Sequence, residues 1–463
     1  VLDVWPFCRV FASAGAAPRR TSVSSLGRAR ELVVEKWPFW VLSACAAVLA
    51  VVGQHSAGAI VEAERHGWAA RIAQVFFGLA FYVRKSLWPS DLMVLHPIAV
   101  PFPFGDVRFV ASEIAVVIAI VLLVLGRRRI PAIAAAASCY VLIAAPVLGF
   151  VQTGSQLVAS RYSYLASLPP TLLAGGACLL AARRASASDS IPVTHRLRSW
   201  MLLARRWIPL ALGGALLVPL GLSTARQCRV WHDTFSLWRH DLAIDPDDNA
   251  ARRNLIVAYL DQGRAATDAS LRASSFANAL EECRLGSERS PDAAYCSNAA
   301  KVYDLMADAD PSQRARNLAL ALEHARRGVE IVEHSNQRYP PIYETCGVIL
   351  CKLERASEAV PCFEKLVAAD ATKASHHGLL AGALLECGRA REAVVPLETA
   401  LRIEPENAAT WLELGDVRRK LDDNARAIEA YRRVIELAQR GSSASEADAA
   451  LARQAIAELD AQR

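Results

Sequence analysis

The sequence predicts an all-α chain made of two unlike parts, a polytopic transmembrane helical domain followed by a soluble solenoid of paired helices. Two observations predict it: a split in charge and apolarity along the chain, and an internal repeat confined to the second half. The 463 residues are 53% hydrophobic with a mean hydropathy of +0.21. Of the 52 Lys+Arg and 46 Asp+Glu, residues 1–224 hold 21 and 9, which leaves 31 and 37 for residues 225–463, so the parts carry +12 and −6. An apolar basic half and a charged, Ala-rich, mildly acidic half exclude a single soluble globule. A nucleic-acid binder is disfavoured, because the positive charge lies between apolar segments rather than on a soluble face.

The elements of the first part follow from apolar runs that approach the ~20 residues a bilayer requires. Spans are expected at Trp37 to Val52, Phe109 to Gly126, Ile130 to Phe150, Leu165 to Ala182 and Trp207 to Leu222, with Pro169 and Pro170 inside the fourth. Basic clusters set the orientation, since short Lys/Arg-rich loops stay cytoplasmic. Arg19, Arg20, Arg28, Arg30 and Lys36 precede the first span, Arg127 to Arg129 separate the second and third, and Arg183, Arg184, Arg196, Arg198, Arg205 and Arg206 separate the fourth and fifth. All three clusters are cytoplasmic only if residues 71–88 do not cross. Ile72, Val75, Phe76, Leu79, Val83 and Leu87 recur there at helical spacing while Arg71, Gln74, Arg84 and Lys85 fall largely elsewhere, which suits an amphipathic helix in the outer interface. The alternative is a sixth span that inverts every later one. In the interfacial reading the loops at 54–68, 89–108 and 151–164 and everything after Leu222 face outward.

This gives a cytoplasmic loop at 1–36, a membrane domain at 37–224 and a junction at 225–247. The chain begins Val-Leu-Asp without a signal segment, and reads as the middle of a protein.

In the second part three windows align at a spacing of 34 residues. Gly347, Ala381 and Gly415 form one register, Ala359, Ala393 and Ala427 a second, and Phe363, Leu397 and Tyr431 a third. A small residue where two helices touch, Ala twelve later and a large apolar residue four further on is the tetratricopeptide pattern. Trp411, Leu414 and Gly415 reproduce its opening and Pro405 closes the middle repeat. Two looser units precede these. One opens with Asn254, Leu255 and Tyr259 and closes with Ala279, Cys283 and Pro291, with extra residues between its helices; the next starts near Tyr295 and Ala299 and resumes near Ala321 and Ala325. The solenoid of about five repeats thus covers 248–441, and 442–463 holds a polar-faced closing helix. Such stacks present a concave surface suited to a polypeptide or protein partner.

Eleven cysteines are scattered without CxxC spacing, so no metal site is expected. Cys45, Cys139 and Cys178, inside apolar runs, read as small buried hydrophobes, and those from Cys283 to Cys387 as helix-packing thiols. His376 and His377 are adjacent and point apart on a helix, which reads as solvated surface.

Several strings of the first part resemble, in colinear order, landmarks of the transmembrane and tetratricopeptide repeat-containing O-mannosyltransferase family and its bacterial relatives. They are Leu2 to Arg9 (LDVWPFCR), Glu35 to Phe39 (EKWPF), Gln54, Arg71-Ile72-Ala73, Tyr82, Leu87 to Leu92 (LWPSDL), Ala159 to Leu165 (ASRYSYL), and Trp231, Asp233 and Leu237 at the junction. Ser160 stands where that family often has an acid, and Val94 to Pro97 replaces an aromatic before the proline. The resemblance implies a GT-C type membrane enzyme that moves a sugar from a polyprenyl or dolichyl phosphate carrier to a polypeptide on the outer face, periplasmic or lumenal, with no further cofactor. It places the catalytic acid in an outward loop upstream of Val1, so the chain as it stands is expected to lack transferase activity. Asp91 and Asp106, the outward carboxylates, read as structural. The residues expected at the donor phosphate are Arg161, flanked by Tyr162 and Tyr164 at interface depth, and then Gln54, Arg71 and Arg84. The competing expectation is a non-enzymatic membrane-anchored scaffold, whose partners are lipids on one side and proteins on the other.

Overall fold

The structure, a computed structural model, describes residues 31, 34–56, 67–98, 102–149, 156–187, 195–335, 337–441 and 445–461. The string Leu2 to Arg9 and the first basic cluster up to Arg30 therefore lie outside the described residues. The chain forms two compact units, Val1–Ala251 and Arg252–Arg463.

In the first unit the apolar runs become helices α1 (Trp37–Ser56), α2 (Trp68–Leu87), α3 (Val107–Gly126), α4 (Pro131–Ala144), α5 (Ser163–Ala166), α6 (Leu168–Ala187), α7 (His195–Val230) and α8 (Thr234–Ile244). Local signals start them. Asp106 accepts a hydrogen bond from the Arg108 amide at the head of α3, Pro131 occupies the first turn of α4, and Asp233 accepts from the amides of Phe235 and Ser236 at the head of α8. A short antiparallel pair, β1 (His96–Pro97) with β2 (Gln156–Val158), joins the two loops that flank α3 and α4, with His96 opposite Val158. These loops close over α2. Phe81, Tyr82, Phe109, Leu148, Leu157 and Val158 form the core there. Gln74 donates to the Leu157 carbonyl at 2.9 Å, and the Tyr140 hydroxyl to that of Leu79 at 2.6 Å.

Only α3, among the described residues, is by itself long and apolar enough to cross a membrane. Its 20 residues span about 30 Å, and only 6% of its apolar window is buried. The expected third span is shorter, because α4 ends at Ala144 and a 3-10 turn containing Pro146 follows. The expected fourth span is broken at Ser167, with a bend of 50° between residues 160–166 and Leu168–Ala181. The first is a short apolar helix and the fifth lies within α7.

Two expectations are corrected here. The polar side of α2 does not face water: Arg71, Gln74 and Lys85 are buried against the protein, while Ile72, Val83 and Leu87 are exposed. The strand pair and its loops supply carbonyl partners to that side, which leaves the aliphatic side outward. Cys45 and Cys178 are exposed on their helices rather than buried, whereas Cys283, Cys296 and Cys346 are buried and free.

The second unit is a stack of antiparallel helix pairs. After α9 (Asn249–Ala265), whose first residues precede Arg252, come α10 (Ala269–Arg289), α11 (Ala293–Ala309), α12 (Arg314–His334), α13 (Pro341–Lys352), α14 (Ala356–Ala369), α15 (Ala374–Glu386), α16 (Ala390–Ile403), α17 (Ala408–Lys420), α18 (Asn424–Gln439) and α19 (Glu446–Ala461). The extra residues of the first two pairs are taken up as helix: α10 and α12 have 21 residues each against 14 in α14 and α16. One apolar core runs from Ala300 through Phe363 and Leu397 to Val417, and a second, around Tyr431 and Val434, is closed by Ala452, Ala455 and Leu459 of α19.

Candidate functional site

The pairs α13–α14 and α17–α18 are each locked by a glycine on the first helix and an aromatic ring on the second. A Cβ added at Gly347 would lie 2.6 Å from the Phe363 ring, and one at Gly415 the same distance from Tyr431. Ala381 and Leu397, at the same registers, are fully buried, as are Ala359, Ala393 and Ala427. This lock fixes how α13, α15 and α17 are rotated. Their residues at 344/378/412, 345/379/413, 348/382/416 and 352/386/420 thereby fall outside the locking register, on what is termed the inner face.

Contacts between first helices confirm the placement of that face. Ser297 and Thr345 hydroxyls are 3.0 Å apart between α11 and α13, and Lys352 donates to Asp304 at 2.6 Å and Asp308 at 2.9 Å. The face changes character along the stack. On α11 and α13 it is a satisfied polar ladder. On α15 it is Gly378, Leu379, Gly382 and Glu386, and a Cβ built on either glycine meets no atom within 4 Å. On α17 it is Leu412, Glu413, Asp416 and the exposed Lys420. Asp416 accepts a hydrogen bond from the Tyr431 hydroxyl at 2.7 Å. Glu413 is half-buried, and burial, with Asp416 adding to it, holds its carboxyl above the usual carboxylate range.

The first unit has its own polar cluster, at the strand pair. Arg161 donates to Gln156 Oε1 at 3.2 Å and to the Tyr162 hydroxyl at 3.3 Å, with its guanidinium carbon 4.9 Å above the Tyr162 ring. Gln156 Nε2 donates to the same hydroxyl at 2.9 Å. Beneath them the buried Ser160 Oγ and His96 Nε2 have no hydrogen-bond partner among the described residues. The His96 imidazole is pushed down to about 4 by burial, then by Lys85 and Arg84. Lys85 Nζ donates to the carbonyls of Ser90 and Asp91 and so holds the Trp88-Pro89 turn, where Asp91 has a φ of 48°.

Of the residues expected at a donor phosphate, Arg161 and Tyr162 are thus brought together, and Arg84 lies near His96. Tyr164 is 76% exposed. Arg71 is buried, its guanidinium carbon 5.5 Å from the Trp68 ring, at the other end of α2 from Arg84. Gln54 lies in the last turns of α1, and its side chain is outside the described ones. Asp106 is paired with Arg108 at 2.6 Å besides its capping role.

His376 and His377 are not solvated surface. They are only 6% and 7% exposed, and ring nitrogens approach the carbonyls of Asp370 at 2.9 Å and Ala371 at 3.0 Å. The turn before α15 folds its carbonyls back over both rings, so each histidine closes a helix start. Gly378, Gly382 and Glu413 of the inner face and Gln156 of the strand cluster escaped the sequence reading, while Ser160 and His96 entered it only as departures from the family strings. The first group was accessible in principle, since it shares the 34-residue registers of Glu344, Thr345 and Val348.

Residues 408–440 match the tetratricopeptide repeat family. These are the helices α17 and α18 that carry the Gly415–Tyr431 lock. Among solved structures the chain is similar to YrrB, described as a TPR protein with an unusual peptide-binding site, at 14% identity and a TM-score of 0.36, covering 47% of this chain and 97% of that one. It is also similar to MamA, as an RS-1 double mutant at 18% identity and a TM-score of 0.33 (41% and 97% covered). MamA from residue 41 to its end, of Desulfovibrio magneticus RS-1, gives 18% and 0.32 (40% and 96%). No curated protein sequence matches the chain.

Proposed function

We propose that the chain is a membrane-anchored scaffold that holds polypeptide partners on the inner face of its helical repeats. The observation that carries this reading is the division of labour on α13, α15 and α17. One side of each helix is consumed by the glycine or alanine lock, and the other bears, on α15, glycines that meet no neighbouring atom and, on α17, Glu413, for which no hydrogen bond or ion pair is present among the described residues. Such a face is suited to an extended segment of another chain. Anchoring is supported by α3, whose aliphatic side chains, such as Leu122 at 61% and Leu125 at 76%, are exposed along a bilayer-length helix. The basic loops argue for a cytoplasmic side at Arg127 to Arg129 and for the repeats on the outer, periplasmic or lumenal, side.

A photo-crosslinking amino acid at Leu412, on the inner face, tests this against one at Val395, which is 67% exposed on α16. Polypeptide adducts from position 412 and none from 395 are expected in membranes expressing the protein. Equal yields from both positions would sink the reading.

A second reading has its own support. The colinear strings and the joining of Arg161, Gln156 and Tyr162 beside Ser160 and His96 suit a site for the phosphate of a lipid-linked sugar, in an O-mannosyltransferase-like protein whose catalytic acid lies upstream. In that reading Arg84 and Tyr164 flank the donor, and the repeats recruit the polypeptide acceptor. It is tested by Arg161→Ala in the full-length protein: unchanged transfer from polyprenyl phosphate mannose removes Arg161 from a donor site.

A further inference from the structure

Cys346 on α13 and Cys362 on α14 are sixteen residues apart, the same offset as Gly347 and Phe363, and each stands one residue before its member of that contact. Because Gly347 has no side chain, the Phe363 ring draws the two helices close there. Cys346 is buried in the core that holds Phe363, and the half-buried Cys362 packs against the same core. The two thiols meet across the helices, with Cys346 donating a hydrogen bond to the Cys362 sulfur. A facing pair of this kind is what a disulfide closes, joining Cα atoms about 4.4–6.8 Å apart.

The two sulfurs are unequal. The hydrogen bond from Cys346 and then, against the effect of partial burial, the Lys365 ammonium hold the Cys362 thiol below the usual thiol range. Cys346 is pushed above that range by the same hydrogen bond and by burial. Lys365 is paired with Glu333, and Arg326 with Glu358 at 2.7 Å, so both cations are anchored near the outer sulfur. Cys362, nearer solvent and more readily ionised, is the attacking group, and Cys346 the resolving one.

We propose that Cys346 and Cys362 are a cross-linking site, closed by exchange with a low-molecular-weight disulfide, that ties α13 covalently to α14. The Cys362 thiolate attacks one sulfur of the incoming disulfide and expels a thiolate; Cys346 then loses its proton and attacks the Cys362 sulfur, expelling the second. The protein gives up two protons and two electrons, and the oxidant leaves as two thiols. The tie reinforces the Gly347–Phe363 contact and stands beside Thr345, whose hydroxyl meets that of Ser297 on α11. It does not depend on which functional reading holds.

The test uses the full chain in a non-ionic detergent, incubated with oxidised glutathione, alkylated with N-ethylmaleimide and digested with trypsin. Cleavage after Arg338, Lys352, Arg355 and Lys365 leaves Cys346 and Cys351 in one peptide and Cys362 in another, so the link reads as their summed mass, released by reductant. That mass is expected in the parent and in Cys351→Ser, and to be at least tenfold less abundant in Cys346→Ser, where a glutathione adduct on Cys362 replaces it. Cys346→Ala serves in its place if the serine variant does not fold. The proposal is overturned if the exposed Cys228 takes up glutathione while Cys346 and Cys362 are only alkylated. It is equally overturned if the parent stops at the Cys362 adduct, or if the linked mass survives loss of Cys346 and vanishes in Cys351→Ser.

Discussion

Two kinds of glycine occupy the first helices of the repeats, and they respond to substitution in opposite directions. Gly347→Ala drives a methyl group into the Phe363 ring, 2.6 Å away, and overpacking of that kind costs about 1–3 kcal/mol. Gly382→Ala meets nothing and removes glycine from a helix interior, so it stabilises by about 0.5–1 kcal/mol. Urea melts of the two variants, compared with the parent, check both signs, and a stabilised Gly347→Ala would contradict the lock. The pressed glycines were legible because each recurs with its aromatic at fixed offset, Gly347 with Phe363 and Gly415 with Tyr431. The open ones were not, since glycine looks the same in sequence whether or not a ring lies opposite. His376 and His377 failed for a related reason. Adjacent side chains on a helix do point apart, but the Asp370-Ala371 turn curls over both, and that return is a property of the folded turn rather than of helical spacing.

Among the elements, α19 shows how a polar-faced helix ends the stack. Its Ala449, Ala452, Ala455 and Leu459 are buried at helical spacing, and they cover Ile428, Val434 and Leu437 of the last pair. Truncation after Arg440 exposes that cluster. The shortened protein is expected to bind a hydrophobic dye more strongly than the parent and to melt at lower temperature, and an unchanged melt would show that α19 does not close the core. Asp292 is a second test at this scale: it caps α11 through the Ala294 amide at 2.8 Å, accepts Gln337 Nε2 at 2.8 Å, and pairs with Arg253 at 3.2 Å. Asp292→Ala is expected to cost about 1–2 kcal/mol from the cap alone, read as a lower urea midpoint. The three regular helix pairs, α13 to α18, were legible from the 34-residue period, whereas the two longer pairs before them break that spacing. The buried polar side of α2 was not, because what covers it, as in the Gln74 to Leu157 hydrogen bond, comes from 83 residues away.

At the scale of the whole molecule, two groups of the first unit, the buried Asp241 and the half-buried His96, make stability depend on pH with opposite signs. Asp241 is fully buried on α8, where it accepts the Val94 amide at 2.9 Å; burial first, then Asp248, pushes its carboxyl up to about 7. Its stabilising contribution is complete below about 4, the range of an unfolded aspartate, and is lost as pH rises through about 7. His96, held down to about 4, contributes above about 6.5 and loses that contribution as pH falls through about 4. In the parent these slopes oppose one another. Thermal melts of the full chain are expected to show stability rising with pH between about 4 and 6.5 in Asp241→Asn, and the variant is expected to gain about 2 kcal/mol over the parent at pH 8. A flat difference across pH would show that Asp241 is not the titrating group. The stacked repeats carry a consequence for recognition that is metric rather than chemical. Neighbouring first helices lie about 10 Å apart and an extended chain advances about 3.3 Å per residue, so a segment lying along the stack meets a new layer at every third position. The inner face is therefore a ruler, and a substitution scan of a bound segment would show sensitivity with a period of three, whatever the residues between.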